Sequence, residues 1–339
     1  MSRRFIAVAS LCVSACSMQR AQPSQSIAID DHMAHMIAAD MAMPMPPRSH
    51  GSDDQQGDLK LPPSNNTAAA RLNASPRHGE WVKIAWDEGS KDSLMAWIVY
   101  PVRQTKAPVV VVVHEIFGLS TWVRGVADQV AAEGFIAIAP DFLSRVRGGP
   151  SAEELPSTQA TGLISGVDAA ERNRAINATA SYAMMQPSAQ QKYAVIGYCW
   201  GGQTTFCHAI NGGVKGFAGG VAYYGLPYMA GGQRATATSA AVPATFIVDS
   251  IAKIKVPVLL LSGTGDARIT AAMPALDSLM KKLGKNYAGI NYEGAIHGFL
   301  RAQDDTLSRR NTAQEAANLA ATKDAWPRTV AFLKKYLGP

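Results

Sequence analysis

A cysteine occupies a position in this chain that typically holds a serine nucleophile. Residues 197–201 read Gly-Tyr-Cys-Trp-Gly and match the G-x-S-x-G pattern of a nucleophile elbow, except that Cys199 replaces the serine. A predicted strand at 193–197 precedes the motif, and a predicted helix begins near Trp200. The sharp turn between them needs small residues, which the motif glycines and Gly202 supply. We therefore expect Cys199 at the carboxyl edge of a sheet, beside a helix N-terminus that favours its thiolate.

An acid and a base follow the elbow in the order that such a nucleophile requires. Asp266 comes soon after a predicted strand at 256–262, and His297 lies in the loop after a predicted strand at 287–293. Each has a plainer interpretation, since Asp266 could cap a turn or a helix and His297 could be a hydrogen-bonded loop histidine. Because both follow strand ends in the order Cys, Asp, His, the pattern predicts a triad of Cys199, Asp266 and His297.

These residues need a sheet whose carboxyl edge collects several loops. Alternating and apolar segments at 81–86 and 94–100 predict an antiparallel hairpin, and a β-branched run at 108–114 is typical of a buried parallel strand. The remaining elements alternate: strands are predicted at 135–139, 193–197, 217–224, 256–262 and 287–293, and helices at 121–133, 167–185, 271–283 and in a C-terminal segment interrupted by Pro327. The fold class is therefore α/β, with a mostly parallel, doubly wound sheet in one domain.

Composition and cysteine usage narrow the class of protein. The 339-residue chain is 47% hydrophobic and 17% charged, as is typical of a globular protein with a sizeable core. Its net charge of +6 comes from scattered lysines and arginines, so we expect no nucleic-acid partner. Cys199 and Cys207 lie on one predicted helix, about 12 Å apart and beyond disulfide reach. We expect a chemical role for Cys199, rather than burial as an inert thiol, and a packing role for Cys207.

The first residues have the features of an export signal. Arg3 and Arg4 precede an apolar segment at 5–15 that is too short to span a bilayer, and Val-Ser-Ala-Cys ends it at Cys16. This resembles the lipobox of bacterial lipoproteins, which implies a signal peptide at 1–15, lipidation of Cys16 and a periplasmic protein anchored to the outer membrane. The alternative is an ordinary secretory signal in which Cys16 has no role.

Residues 16–78 show no sustained helical or strand period and are rich in polar residues, proline and alanine. They are predicted to form a flexible tether, with the catalytic domain at 79–339. The tether contains His32, His35 and several methionines, which are ligands that soft ions such as Cu(I) prefer. Their spacing matches no closed metal site, so we favour a low-complexity linker and expect no metal.

Several motifs resemble those of the dienelactone hydrolases over residues 79–337. They are His-Glu-Ile-Phe-Gly at 114–118, the cysteine elbow, Ala-Pro-Asp at 139–141, Tyr-Tyr-Gly at 223–225, Gly-Asp at 265–266 and His-Gly-Phe at 297–299. The resemblance implies an α/β-hydrolase fold without a cofactor. It assigns Cys199 as nucleophile, His297 as general acid and base, and Asp266 as the residue that orients the imidazole. Glu115 would accept the resting thiol's hydrogen bond and take its proton, and the backbone N–H groups of Ile116 and Trp200 would form the oxyanion hole.

The resemblance also implies a substrate, a small-molecule lactone or activated ester hydrolysed through an acyl-cysteine. Arg301 is the candidate for binding a substrate carboxylate, and its plainer interpretation is a surface arginine that leaves the loop. A second carboxylate-binding arginine has no secure match. Two other functions stay open: a broad carboxylesterase or thioesterase on the same fold, and more remotely a non-enzymatic copper-binding envelope lipoprotein. We expect a monomer.

Overall fold

A mixed sheet forms the centre of the protein, in a computed structural model that describes residues 57–87, 89–151, 157–232, 244–303 and 312–338. Its strands are β1 (Gly79–Ala85), β2 (Ser93–Val99), β3 (Ala107–Val113), β4 (Ile136–Asp141), β5 (Ala189–Tyr198), β6 (Phe217–Tyr223), β9 (Val258–Gly263) and β10 (Tyr287–Tyr292), with β7 (Met229–Ala230) and β8 (Thr245–Phe246) pairing separately. The order is β1-β2-β4-β3-β5-β6-β9-β10; β2 runs antiparallel to both β1 and β4, and the other neighbouring strands of this sheet are parallel. The predicted parallel sheet with an N-terminal antiparallel hairpin is confirmed.

The helices of the described ranges lie before, between and after the strands of the sheet. They are α1 (Ala68–Asn73), α2 (Thr121–Ala132), α3 (Ser144–Arg147), α4 (Ser157–Ile164), α5 (Ala169–Met184), α6 (Trp200–Asn211), α7 (Val248–Ile251), α8 (Ala267–Lys282) and α9 (Thr312–Leu337). Strand β3 lies inside the sheet, and its residues 109–113 are fully buried. A β-branched run buried on both faces is what the sequence predicted there.

The register between strands brings the site-bearing loops to one edge. Val113 at the end of β3 pairs with Gly197 near the end of β5. On the other side of β6, Gly263 at the end of β9 pairs with Tyr292 at the end of β10. Because these strands are parallel, the loops after β3, β5, β9 and β10 all leave the sheet at its carboxyl edge.

The predicted start of the folded domain at Gly79 is too late. Residues 57–78 pack against the domain, with the side chains of Leu61, Ala68 and Arg71 buried and α1 lying against α2. Arg77 pairs with Asp128 at 2.6 Å. The segment lacks a periodic apolar pattern because hydrogen bonds to its backbone, rather than one apolar face, hold much of it in place.

The predicted interruption of the C-terminal helix is also wrong, since α9 continues through Pro327. Proline removes one backbone donor and typically costs about 3 kcal/mol in a helix interior. Pro327 and Lys323, one turn earlier, are both exposed, so water can bind the carbonyl that loses its partner. Trp326 and Leu333 are buried on the other face, and this packing offsets the loss.

The predicted signal peptide at 1–15, Cys16 and the methionine- and histidine-containing segment lie outside the described residues. Within the described ranges, the helices are all too short or too polar to cross a bilayer.

Candidate active site

Cys199 lies at a strained turn between β5 and α6. Among the described residues, Cys199 and Tyr224 are the non-glycine residues with positive φ, and the φ of Cys199 is 56°. The Cys199 N–H donates to the Tyr223 carbonyl at 3.0 Å, and its carbonyl accepts from the Gln203 N–H at 3.1 Å. Such a conformation costs on the order of 1–3 kcal/mol in a non-glycine residue, so the surrounding structure must impose it. The result is a buried thiol held at the N-terminus of α6.

The elbow glycines are needed for space rather than for unusual φ angles. A Cβ on Gly197 would collide with the carbonyl of Gly201, and one on Gly201 would collide with the carbonyl of Val113. A Cβ on Gly202 would lie 2.5 Å from the Tyr223 carbonyl oxygen. Each obstruction is backbone of a neighbouring turn or strand and cannot rotate away. The small residues predicted from the motif are therefore what lets α6 begin against the sheet.

Asp266 and His297 meet at the same edge of the sheet. The His297 Nδ1 lies 2.6 Å from the Asp266 Oδ2, and both side chains are buried. The Asp266 Oδ1 accepts the N–H of Ile269 at 3.1 Å and so caps α8. The helix-cap interpretation and the pairing with histidine are thus both correct descriptions of Asp266. The cap holds the carboxylate in the orientation that faces the imidazole.

Glu115 and Arg301 form a buried ion pair that the sequence did not predict. The Arg301 Nε lies 3.0 Å from the Glu115 Oε2, with the two side chains 5% and 3% exposed. The guanidinium also lies over the Phe117 ring, 5.4 Å from its centroid. Arg301 is therefore not a surface arginine. It links the loop after β10, which carries His297, to the loop after β3.

His114 orients the peptide that joins Glu115 to Ile116. Its Nε2 accepts the N–H of Phe142 at 3.2 Å, so the proton of the neutral ring is on Nδ1. Nδ1 donates to the Glu115 carbonyl at 2.6 Å. Burial lowers the pKa of His114, which favours this neutral form. Because C=O and N–H of a trans peptide point in opposite directions, the bond turns the Ile116 N–H away from the imidazole. The sequence analysis assigned no role to His114, although its place in the 114–118 motif was a signal that could have revealed one.

Several side chains pack against the Trp200 ring. It stacks on His114 with centroids 5.7 Å apart and meets Phe142 edge-on at 5.0 Å. The Arg172 guanidinium lies 4.5 Å from the ring centroid and donates to the Gln203 Oε1 at 2.9 Å. The Trp200 N–H is at the first position of α6, where helical amides have no partner within the helix. These contacts fix the residue that carries this amide.

The segment 152–170, where a second carboxylate-binding arginine was sought, contains no arginine, and it is flanked by Arg145, Arg147, Arg172 and Arg174. Arg172 is buried beside Trp200, whereas Arg145 and Arg174 pack on Trp86 at the hairpin end of the sheet. Arg172 is thus the arginine of this group that lies beside a predicted site residue.

Tyr224 packs against the candidate site from the strand side. Its ring lies 4.9 Å from that of His297. Burial raises the pKa of Tyr224 well above its usual range, and the nearby Glu115 raises it further. The phenol is therefore neutral and can serve as a hydrogen-bond donor. The backbone N–H of Tyr224 donates to the Leu261 carbonyl at 2.7 Å, and this bond holds the strained backbone of Tyr224 against β9.

Comparison with known proteins identifies the family. Residues 94–337 match the sequence model of the dienelactone hydrolase family. The chain belongs to this family. It is 29% identical over 241 residues to a protein of Synechocystis named putative carboxymethylenebutenolidase, covering 69% of this chain and 89% of that one. It is 28% identical over 235 residues to a carboxymethylenebutenolidase of Pseudomonas sp. strain P51, covering 68% and 85%.

A solved structure supports the fold of this dienelactone hydrolase family member. The crystal structure of a putative dienelactone hydrolase from Klebsiella pneumoniae superposes with a TM-score of 0.59 at 24% identity, covering 76% of this chain and 100% of that one. The chain therefore has the α/β fold of this family, and its match to the family model and to the named relatives shows that it is a hydrolase.

Proposed function

We propose that the protein hydrolyses a lactone or an activated ester through an acyl-cysteine on Cys199, as a carboxymethylenebutenolidase-type enzyme. The observation that carries this proposal is the juxtaposition at the carboxyl edge: a cysteine in a strained elbow, and an Asp266–His297 pair 2.6 Å apart on the neighbouring strand ends. The names of the relatives favour the same substrate class.

In the acylation step, the Cys199 sulfur attacks the carbonyl carbon and the bond to the leaving oxygen breaks. An enol leaving group departs as a stabilised enolate and needs little protonation, which suits a thiol nucleophile. In the deacylation step, His297 takes a proton from water, the resulting hydroxide attacks the thioester, and the carbon–sulfur bond breaks as the carboxylic acid is released. His297 returns its proton to the Cys199 thiolate, and the enolate takes up the equivalent of the proton that Glu115 removed from the thiol. His297 acts through Nε2, since its Nδ1 faces Asp266.

The remaining groups stabilise the negative charge of the oxyanion or remove the proton of the Cys199 thiol. The amides of Ile116 and Trp200 donate to the oxyanion, and His114 strengthens the first of them by bonding the carbonyl of the same peptide at 2.6 Å. Glu115 takes the Cys199 proton. A free thiol with a pKa near 8.5 is only a few per cent thiolate at neutral pH, so a base that removes the proton greatly increases the fraction of reactive thiolate.

A broader carboxylesterase or thioesterase activity is the second candidate. The engagement of Arg301 by Glu115 at 3.0 Å favours it, because a substrate carboxylate would have to compete with an internal one. Turnover of a matched panel separates the two: an enol-lactone with a carboxylate, the same lactone without it, a simple aryl ester and a thioester. Preference for the lactones supports the first function, and preference for the aryl ester or thioester supports the second. Failure to hydrolyse any member, with no acyl-enzyme by mass spectrometry, would remove both.

We further propose that the protein is exported and lipid-anchored through Cys16. The support is the resemblance of residues 1–16 to a lipoprotein signal. The parent should incorporate labelled palmitate and sediment with membranes, and Cys16→Ser should do neither. A parent that is exported without label would be an ordinary secreted protein.

A further inference from the structure

An N-terminal strap, residues 58–72, lies beside the candidate site although it precedes the sheet and the residues matched to the family. It packs on α2, where Gly125 leaves room for it. A Cβ on Gly125 would lie 2.7 Å from the Pro63 Cγ and 3.5 Å from the Ala68 Cβ. The close approach indicates that the strap belongs to the folded domain rather than lying loosely on it.

The strap binds the backbone of the loop that carries Arg301. The Asn65 N–H donates to the Arg301 carbonyl at 3.0 Å. In the other direction, the buried Gln303 side chain donates to the Pro62 carbonyl at 3.0 Å and to the Leu300 carbonyl at 2.9 Å. Arg301 is therefore held to the strap at its own carbonyl and again two residues later.

The strap is itself rigid. Its buried Arg71 donates to the Leu61 carbonyl at 2.7 Å and to the Gln129 Oε1 of α2 at 2.5 Å. The Trp122 indole donates to the Pro63 carbonyl at 2.9 Å. The two prolines at 62 and 63 restrict φ between these contacts. A rigid segment that bonds a loop at several points can set the position of that loop.

We propose that the strap positions Arg301 and, through the 3.0 Å ion pair, the Glu115 carboxylate. The strap residues are argued to act through Arg301 and not on the reacting atoms, so they are positioning residues. The proposal rests on the proposed function, in which Glu115 activates the Cys199 thiol. A misplacement of about 1 Å in such a group can lower a rate about a hundredfold.

The test compares one variant in the Arg301 loop and one in the strap with a matched control in the full-length protein. Gln303→Leu removes the donor to Pro62, and Arg71→Met removes the internal clamp of the strap. The control, Arg77→Met, breaks the bond to Asp128 on the same helix α2 but leaves the strap's bonds to the Arg301 loop intact. Each variant is assayed for kcat and KM on an aryl acetate and for the rate at which iodoacetamide alkylates Cys199, followed by mass spectrometry, at a temperature where circular dichroism shows it folded.

We expect Gln303→Leu and Arg71→Met to lower kcat by about tenfold or more, with little change in KM, and to slow the alkylation of Cys199. Arg77→Met should stay within about twofold of the parent in both assays. A loss in Arg77→Met equal to that in Arg71→Met would attribute the effect to general destabilisation and overturn the proposal. If Gln303→Leu does not fold, Arg71→Lys, which keeps the charge but has a single donor nitrogen, takes its place.

The deciding measurement repeats Gln303→Leu in an Arg301→Ala background. If the strap acts through Arg301, Gln303→Leu should cause less than about a twofold further loss there, because coupled changes are not additive. A full tenfold loss in both backgrounds would overturn the proposal. Failure of the proposed function is separable: turnover retained in Cys199→Ala would refute that function, whereas the Cys199 alkylation rates would still report on the strap.

Discussion

The two halves of the candidate site are built in different ways. In the elbow half, Cys199 and its flanking glycines are held by backbone of β5, α6 and the adjoining strands. In the other half, Arg301 and Glu115 join loops that follow β10 and β3, and Gln303 ties them to a segment 241 residues earlier in the chain. The first half is encoded by a few consecutive residues, and the second exists only in the assembled fold.

This difference predicts how each half responds to change. Contacts in the elbow are backbone against backbone, so a side-chain rotation cannot relieve an added atom. The Arg301–Glu115 pair is a side-chain contact on loops, which can shift by fractions of an ångström. We therefore expect all-or-none effects in the elbow and graded effects in the loop half.

Removing the proposed nucleophile should have the largest effect. Cys199→Ala should lower ester turnover by at least about a thousandfold, because nothing else at the elbow can form the acyl intermediate. Turnover and intact-mass detection of the acyl-enzyme measure this. Cys207→Ala, on the same helix, is the matched control and should keep most activity, since burial raises the pKa of that thiol. Equal turnover in Cys199→Ala and the parent would contradict the assignment.

Substitution of an elbow glycine should have the next largest effect. Gly197→Ala should destabilise the fold by about 2–3 kcal/mol or more and remove most activity, because the new Cβ collides with backbone. Urea unfolding and turnover check this. Gly162→Ala, at a helix position with open space around it, is the control and should be neutral or slightly stabilising. A fully active Gly197→Ala would show that the elbow is more adaptable than its contacts indicate.

The loop half should show a graded loss. If Arg301 only binds a substrate carboxylate, as the sequence indicated, Arg301→Ala should slow the hydrolysis of carboxylated lactones alone. The ion pair with Glu115 predicts that the hydrolysis of uncharged aryl esters also slows, by about tenfold. A charge-assisted bond contributes roughly 1.5–3 kcal/mol, and about 1.4 kcal/mol is tenfold. Comparing kcat/KM for an aryl ester and a carboxylated lactone decides the point. An unchanged rate with the aryl ester would show that Arg301 acts only by binding the substrate carboxylate.

The last effect concerns the pH dependence of stability rather than activity, and it comes from the far end of the elbow helix. His208 is buried between Tyr193 and Asn173, and burial lowers its pKa from 6.5 to about 3. The unfolded chain therefore binds a proton that the folded protein does not, so stability is fully present above pH 6.5 and declines as the pH falls towards 3. Its contribution to the slope is at most about 1.4 kcal/mol per pH unit. Urea unfolding at several pH values should give a shallower slope for His208→Gln, and an unchanged slope would exclude His208.

The fold and the elbow half were predictable because their signals are local. The buried valine run, the alternation of strands and helices, and the glycines around Cys199 each follow from a few neighbouring residues. The positions of Asp266 and His297 followed from strand ends, because parallel strands deliver their loops to one edge. The interruption at Pro327 was wrong because a local rule ignored which face of α9 is exposed.

By itself the sequence determined the α/β fold, the elbow with its thiol and the strand ends that carry Asp266 and His297, since periodicity and motif spacing act over short distances. Only the tertiary structure decided that Arg301 pairs with Glu115, that His114 holds the peptide of Ile116, and that residues 58–72 belong to the domain. Those contacts join buried polar groups from distant parts of the chain. Their partners are chosen by the need to satisfy hydrogen bonds inside a packed protein, and no periodic pattern records that need.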